Sequence, residues 1–187
     1  MRAATGAQFP CPFDLAPFNR YLSMDIEIGA TMLESIKAWF QGPTPTGPTE
    51  TLAEFNPGTA QPINGYIELE DGSWKLALPK DGSVSFFQLP LPEGTDNCRL
   101  TYRMRIKTEL ESGDCYLEMW CRLPEEGKFF SKGLHDKLTG KNNWSEHEIP
   151  FLVKKGQFAD QLELKLYGNG EGTVWVDNIE VLKTPLG

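Results

Sequence analysis

Tyr116, Glu118, Trp120 and Arg122 alternate with Cys115, Leu117, Met119 and Cys121. At the two-residue period of a β-strand the two sets point to opposite faces. The second set is apolar and belongs to a core. The first places rings, a carboxylate and a guanidinium on one rigid face, a mixture that suits a sugar. A pyranose has an apolar C–H face that stacks on Trp or Tyr, and its paired hydroxyls want charged groups that grip two oxygens at once. Two more runs contribute. Arg103 and Arg105 stand outward from Leu100, Tyr102, Met104 and Ile106, and Tyr167 stands outward with Glu163 and Lys165 from Leu162, Leu164 and Leu166. The expected ligand-binding set is therefore Trp120 as stacking platform with Tyr116, Glu118, Arg122, Arg103, Arg105 and Tyr167. The competing expectation is a solvated face whose charges pair across strands, with Trp120 covered by a loop or an N-terminal helix. Exposed pairs of that kind contribute little stability.

The elements that must position these residues are strands. Tyr66–Glu70 and Trp74–Leu78 flank Asp71-Gly72, the dipeptide of a type I′ hairpin. Asp81-Gly82 precedes a strand over Val84–Leu89. Further strands are expected at Arg99–Lys107, Cys115–Leu123, Trp144–Val153, Leu162–Tyr167 and Thr173–Leu182. Lys128–Gly140 reads as a long loop, and long loops often carry binding function. Eight such strands make an all-β jelly-roll β-sandwich. Before it, Ile28, Met32, Ile36 and Trp39 recur at helical spacing, with Ser23 as a cap and Gly42-Pro43 as a stop. This predicts a short N-terminal helical appendage. Its stripe either packs on the sandwich or offers a docking surface for a partner or a second copy of the chain. Residues 43–49 alternate Pro with Thr and Gly, the composition of an extended spacer. The expected division is an N-terminal irregular and helical segment with its linker at 1–49, and a binding domain at 50–187.

The chain carries 18 basic and 26 acidic side chains, a formal charge of −8. That argues against a nucleic-acid partner, which needs a basic face to neutralise phosphates. No run approaches the ~20 apolar residues of a membrane-spanning helix. No signal peptide is visible, which leaves a cytoplasmic chain or a secreted one that has lost its leader. Cys11, Cys98, Cys115 and Cys121 form no CxxC pair, so a zinc site is not expected. Cys115 and Cys121 share a face but lie roughly 20 Å apart at strand rise, too far to bond. A Cys98–Cys115 bridge or buried free thiols remain, and the apolar face favours the thiols.

Enzyme signatures are weak. Met24–Ile28 superficially resembles the carboxylate strand of some jelly-roll glycoside hydrolases, but lacks its leading Glu and reads better as helix. Glu146 and Glu148 alternate as residues on wet faces often do. His135 and His147 are isolated and read as structural. The spaced glycines of Gly168–Gly172 join two strands, whereas a dinucleotide fingerprint opens a helix. No nucleophile elbow or phosphate loop is present.

Leu100–Arg105, Tyr116–Trp120, Gly140–Trp144 and above all the closing run Gly172-Thr173-Val174-Trp175-Val176-Asp177-Asn178-Ile179 resemble the galactose-binding-domain-like jelly rolls. These include many β-sandwich carbohydrate-binding modules. The resemblance covers roughly residues 60–184. It implies a non-catalytic, lectin-like carbohydrate-binding protein, with a structural calcium held between an N-terminal strand and the final Asp. Asp177 is the position carried over, with Glu54 as its partner. The chain departs from the secreted modules in its helical N-terminus and in showing no signal peptide. The superfamily is functionally mixed, so the fold alone does not set the ligand. The alternatives are a structural or protein-interaction sandwich and, less favoured, a jelly-roll glycoside hydrolase or lyase.

Overall fold

The computed structural model describes residues 43–187. The expected helix over 23–41, and any oligomer built through it, lie outside the described residues. What is described is all-β. The strands are β1 (Glu50–Phe55), β2 (Glu68–Glu70), β3 (Ser73–Ala77), β4 (Gly82–Pro90), β5 (Cys98–Leu123), β6 (Gly127–Lys132), β7 (Lys141–Val153) and β8 (Gln161–Pro185). Among the described residues no helix is long and apolar enough to cross a membrane.

The frame is one antiparallel ribbon of β5 and β8, paired from Cys98↔Pro185 to Arg122↔Gln161. Near its first end, β7 flanks β5 while β1 and β3 flank β8. Near its second end, β6 flanks β5 and β4 flanks β8. The ribbon folds over on itself. Phe55 on β1 is paired with Ile179, and Phe87 on β4 with Leu164, fifteen residues away along β8. A straight strand would separate those positions by about 50 Å. Instead the two phenyl rings stack with centroids 4.0 Å apart, and Trp74 on β3 packs against both Phe86 and Phe87. The two halves of the sheet therefore face each other across one core.

The described strands number eight, as expected, but the chain is divided among them differently. Arg99–Lys107 and Cys115–Leu123 are parts of one strand, and so are Leu162–Tyr167 and Thr173–Leu182. Gly168–Gly172 is a corner within a strand and not a turn between two. The register slips between Leu110 and Ser112 and between Met104 and Ile106, so the chain bends while its pairing continues. Gly113 has φ +77°, and a Cβ there would overlap the Asn169 carbonyl oxygen. A Cβ on Gly170 would overlap the Ser112 oxygen across the ribbon. The bulge also shifts parity. Cys98, Leu100, Tyr102, Met104, Ile106 and Leu110 are buried before it, and Cys115, Leu117, Met119, Cys121 and Leu123 after it. The same side of the ribbon thus meets the core in both halves.

The Asp71-Gly72 hairpin forms as the sequence predicts. Glu70 pairs with Ser73, and both turn residues have positive φ, 49° and 78°. β1 and β6 were not expected. β6 occupies the start of the segment read as a loop, where it pairs with β5 from Leu123↔Gly127 to Glu118↔Lys132. Residues 44–49 lie beside the last strand. Thr46 N donates to the Pro185 oxygen at 3.0 Å, and the Thr49 and Thr184 hydroxyls meet at 2.8 Å.

The core is aliphatic and continuous. Leu162, Leu164, Leu166, Val174, Val176, Ile179 and Val181 are fully buried along β8. Each contributes roughly 1.5–3 kcal/mol of transfer free energy. Cys98, Cys115 and Cys121 are buried free thiols. Burial pushes the Cys115 and Cys121 thiols up to about 12, so both stay protonated at neutral pH. A water-soluble maleimide at pH 8 is expected to leave both unmodified in the native protein and to modify both after denaturation. Rapid native labelling of either thiol, read by peptide mapping, would contradict this packing.

Candidate binding site

The outer face of the half built by β4, β8, β5 and β6 carries side chains in register. One row is Ser83, Tyr167 and Tyr116. The next is Ser85, Lys165, Glu118 and Lys132. A third brings together Glu163, Trp120 and Phe130, and a fourth Gln161, Arg122 and Lys128. Tyr116 and Tyr167 stack with centroids 4.6 Å apart. The Tyr167 hydroxyl donates to Asp81 Oδ1 at 2.6 Å, and that bond to a carboxylate pushes the phenol up to about 12. Lys132 lies 5.9 Å from the Tyr167 ring centre and Lys137 5.5 Å from that of Tyr116.

Glu118 is only 3% exposed, although it points away from the core. It accepts from the Trp120 indole N–H and from Ser83 Oγ at 3.2 Å, with Lys132 Nζ 3.4 Å away. A buried carboxylate needs such partners. Its role is to fix the indole, and it is too enclosed to grip a hydroxyl. Trp120 is partly buried. It packs against Phe130 at 5.2 Å, and Lys165 Nζ lies 5.8 Å from its ring centre. Trp120, Arg122, Lys128, Gln161 and Glu163 line one shallow crevice too small to admit a water molecule.

Charges around that crevice are set. Arg122 Nε and Nη2 donate to the two oxygens of Asp160 at 2.8 and 2.7 Å, a bidentate pair. The hydrogen bond holds Asp160 below the usual carboxylate range and raises Arg122. Burial acts to raise Glu163, but Ser85 Oγ at 2.8 Å and Lys165 Nζ at 3.1 Å outweigh it, and its pKa is lowered.

Of the expected ligand-binding residues, Tyr116, Glu118, Trp120, Arg122 and Tyr167 share this face. Arg103 and Arg105 do not join them. They pair with the far end of β8, beside β7 and β1, and occupy the outer face of the opposite half. The bend between Leu110 and Cys115 separates the two groups. Arg103 donates to Glu148 Oε2 at 2.8 Å and to Glu180 at 3.5 Å. Arg105 pairs with Asp177 and lies 5.3 Å from the Trp144 ring centre. Sequence reasoning left out Phe130, Lys132, Lys128 and Gln161. The first three sit on β6, inside or bordering the segment read as a loop, and Phe129-Phe130 was the signal of a strand there.

Glu54 and Asp177, the pair expected to hold calcium, each have another side-chain partner. Calcium takes six to eight oxygen ligands. Asp177 is engaged by the Arg105 guanidinium, and Glu54 accepts from Asn56 Nδ2 at 2.9 Å. Among the described residues no three His, Cys, Asp or Glu side chains converge as metal ligands. Asp177 instead ties β8 to β5 through its ion pair.

No family model matches the sequence, and no curated protein matches it. The solved structures similar to it are mostly carbohydrate-binding modules. One is the CBM22-1–GH10 modules of the Clostridium thermocellum endo-1,4-beta-D-xylanase 10B complexed with xylohexaose. It is 11% identical with a TM-score of 0.42, over 73% of this chain and 28% of that one. A second is a structure of infectious bursal disease virus, Gx strain, 5% identical with a TM-score of 0.49, over 73% and 32%. A third is the CBM22-1 xylan-binding domain of Paenibacillus barcinonensis Xyn10C, 12% identical with a TM-score of 0.42, over 79% and 88%. This chain spans about a third or less of the first two.

Proposed function

We propose that the β4–β8–β5–β6 face is a non-catalytic carbohydrate-binding surface with Trp120 as its stacking platform. The observation that carries this reading is the partly buried Trp120 ring set in register on one outer sheet face, with Arg122, Lys128, Gln161 and Glu163 at its border. An indole held at its N–H by Glu118 loses little freedom when a sugar stacks on it, and such preorganisation favours binding. The four bordering side chains supply donors and acceptors for hydroxyls. What favours the non-catalytic reading is that glycosidase chemistry needs an acid kept protonated beside a second carboxylate. Glu163 is shifted the other way, and Glu118 is sealed by Ser83, Trp120 and Lys132. A glycan array followed by calorimetric titration tests the reading with the parent protein and Trp120→Ala. Binding by the parent, lost in the variant, supports it. No binding by the parent overturns it.

A protein partner is the second reading, and exposed apolar groups near the short strand β2 favour it. Tyr66 is 88% exposed, and Ile63 and Leu69 are also exposed. Tyr66 borders a cleft of about 550 Å³ floored by Leu76, Val84 and Pro79, and Leu69 borders a second of about 430 Å³. Tyr66→Ala should leave glycan binding intact, and a partner that docks there should lose affinity.

The calcium expectation is tested by melting. With Asp177 held by Arg105, neither excess calcium nor a chelator is expected to move the melting temperature. A rise with calcium, by mass action on the folded state, would restore the metal.

A further inference from the structure

We propose that Ser145, His147 and Asp136 form a nucleophilic relay that takes a carboxylic ester or an equivalent activated acyl group. Ser145 Oγ lies 2.8 Å from His147 Nε2, and His147 Nδ1 lies 2.7 Å from Asp136 Oδ2. The order of contacts is that of a serine nucleophile, an imidazole base and an orienting carboxylate. Asp136 is an acceptor, so it places the imidazole proton on Nδ1. That leaves the Nε2 lone pair to take the hydrogen bond from the Ser145 hydroxyl at 2.8 Å, a shorter contact than that of the same hydroxyl to the Asn143 oxygen at 3.4 Å, and this is the tautomer a general base requires.

The fold builds this chain from two elements. Ser145 and His147 are two residues apart on β7 and share one of its faces. Along that face burial deepens from exposed Ser145 through His147, whose side chain is 12% exposed, to Ile149 in the core. The nucleophile is therefore open to solvent while its base is sheltered. Asp136 comes from the segment after β6, and that segment is pinned at both ends. Gly133 N donates to the Leu117 oxygen at 2.9 Å, and Leu138 exchanges backbone hydrogen bonds with Cys115 at 2.9 and 3.0 Å. Between them Asp136 N donates to the Gly133 oxygen at 3.0 Å. The carboxylate is thus positioned by backbone anchored to β5 and not by a free loop. A serine and a histidine on one strand often touch. The third member, delivered from a separate and anchored segment onto Nδ1, is what a chance contact lacks.

In the reaction Ser145 Oγ forms a bond to the acyl carbon and its proton passes to His147 Nε2. The bond to the leaving oxygen breaks, and that oxygen takes the proton from His147 as the alcohol departs. Water, deprotonated by the same nitrogen, then releases the acid and restores the serine. Asn142, on the same strand, is committed to the Thr108 hydroxyl and the Thr139 oxygen. It supplies no donor to the developing oxyanion, and a single such donor is worth about 10²–10³ in rate. Turnover is expected to be slow, and covalent capture is the sharper readout.

This site lies apart from the Trp120 crevice and does not rest on the carbohydrate reading. The test treats the full chain with a fluorophosphonate, whose phosphorus is attacked by Ser145 Oγ with loss of fluoride, and maps the adduct by peptide mass spectrometry. The expected result is one adduct at Ser145. It is absent in Ser145→Ala and formed at least 10-fold more slowly in Asp136→Asn and His147→Gln, with melting temperatures confirming that each variant is folded. Asp136→Asn keeps the side-chain volume on the segment after β6, so it reports even where His147→Gln unfolds. No adduct at Ser145 in the parent, or one whose rate is unchanged in folded Asp136→Asn, overturns the proposal.

Discussion

Gly113→Ala is expected to cost more than about 4 kcal/mol and to leave little folded domain at 37 °C. Two effects combine at the ribbon corner. Gly113 sits at φ +77°, where an L side chain costs about 1–2 kcal/mol. Its added Cβ would also overlap the Asn169 carbonyl oxygen and crowd Gly170 Cα, both backbone atoms of the paired strand. Neither can move without opening the β5–β8 pairing that both halves share. Gly72 is the internal control. Its φ is +78°, but nothing lies within 4 Å of a Cβ built there. Gly72→Ala should therefore cost about 1 kcal/mol, from backbone conformation alone. Urea denaturation of the two variants reads the difference. Equal midpoints would mean that the corner does not depend on close backbone approach, and the folded-ribbon account would fail.

That corner also marks where the sequence stops being legible. Strand periodicity and the Asp71-Gly72 turn are local signals, and both appear in the structure where the residues place them. Alternation also assigns the inward and outward faces correctly on each side of the bend. What it does not carry is the continuity of β5 and β8 through it. A glycine cluster reads alike whether it closes a hairpin or lets a paired strand turn a corner, because the difference lies in the partner strand. Gly113 and Asn169 are 56 positions apart in sequence and meet only in the fold.

The candidate site shows the same division. Tyr116, Glu118, Trp120 and Arg122 come from one strand, and one period suffices to group them. Tyr167 enters because β8 runs in register with β5 at Tyr116. Arg103 and Arg105 were grouped by proximity in sequence, and the bend carries them to the other side. His147 was isolated in sequence, yet its partners are two and eleven residues away. The i, i+2 contact with Ser145 was open to reading once β7 was assigned. The contact with Asp136 was not, because it depends on how the segment after β6 is anchored to β5.

Trp120→Ala is expected to weaken glycan binding by about 2 kcal/mol or more, roughly 30-fold, as loss of an aromatic anchor does. The same substitution reaches into the protein's own contacts. It removes the ring packed on Phe130 and the N–H donor to Glu118, a carboxylate that stays buried with only Ser83 and Lys132 beside it. Leaving a buried acceptor short of a donor costs about 1–3 kcal/mol, so a stability loss of that order should accompany the binding loss. Stability alone therefore does not separate a ligand platform from a structural face. Trp120→Phe does. It keeps an aromatic surface for a sugar to stack on and removes the N–H bond to Glu118. On a binding face, Trp120→Phe should share the part of the stability loss that comes from leaving Glu118 short of a donor but retain most of the affinity. Titrations run well below the melting temperature of each variant read the two effects separately. If both variants lose stability and the parent binds no glycan, the rings of this face serve the fold, and the carbohydrate reading is withdrawn.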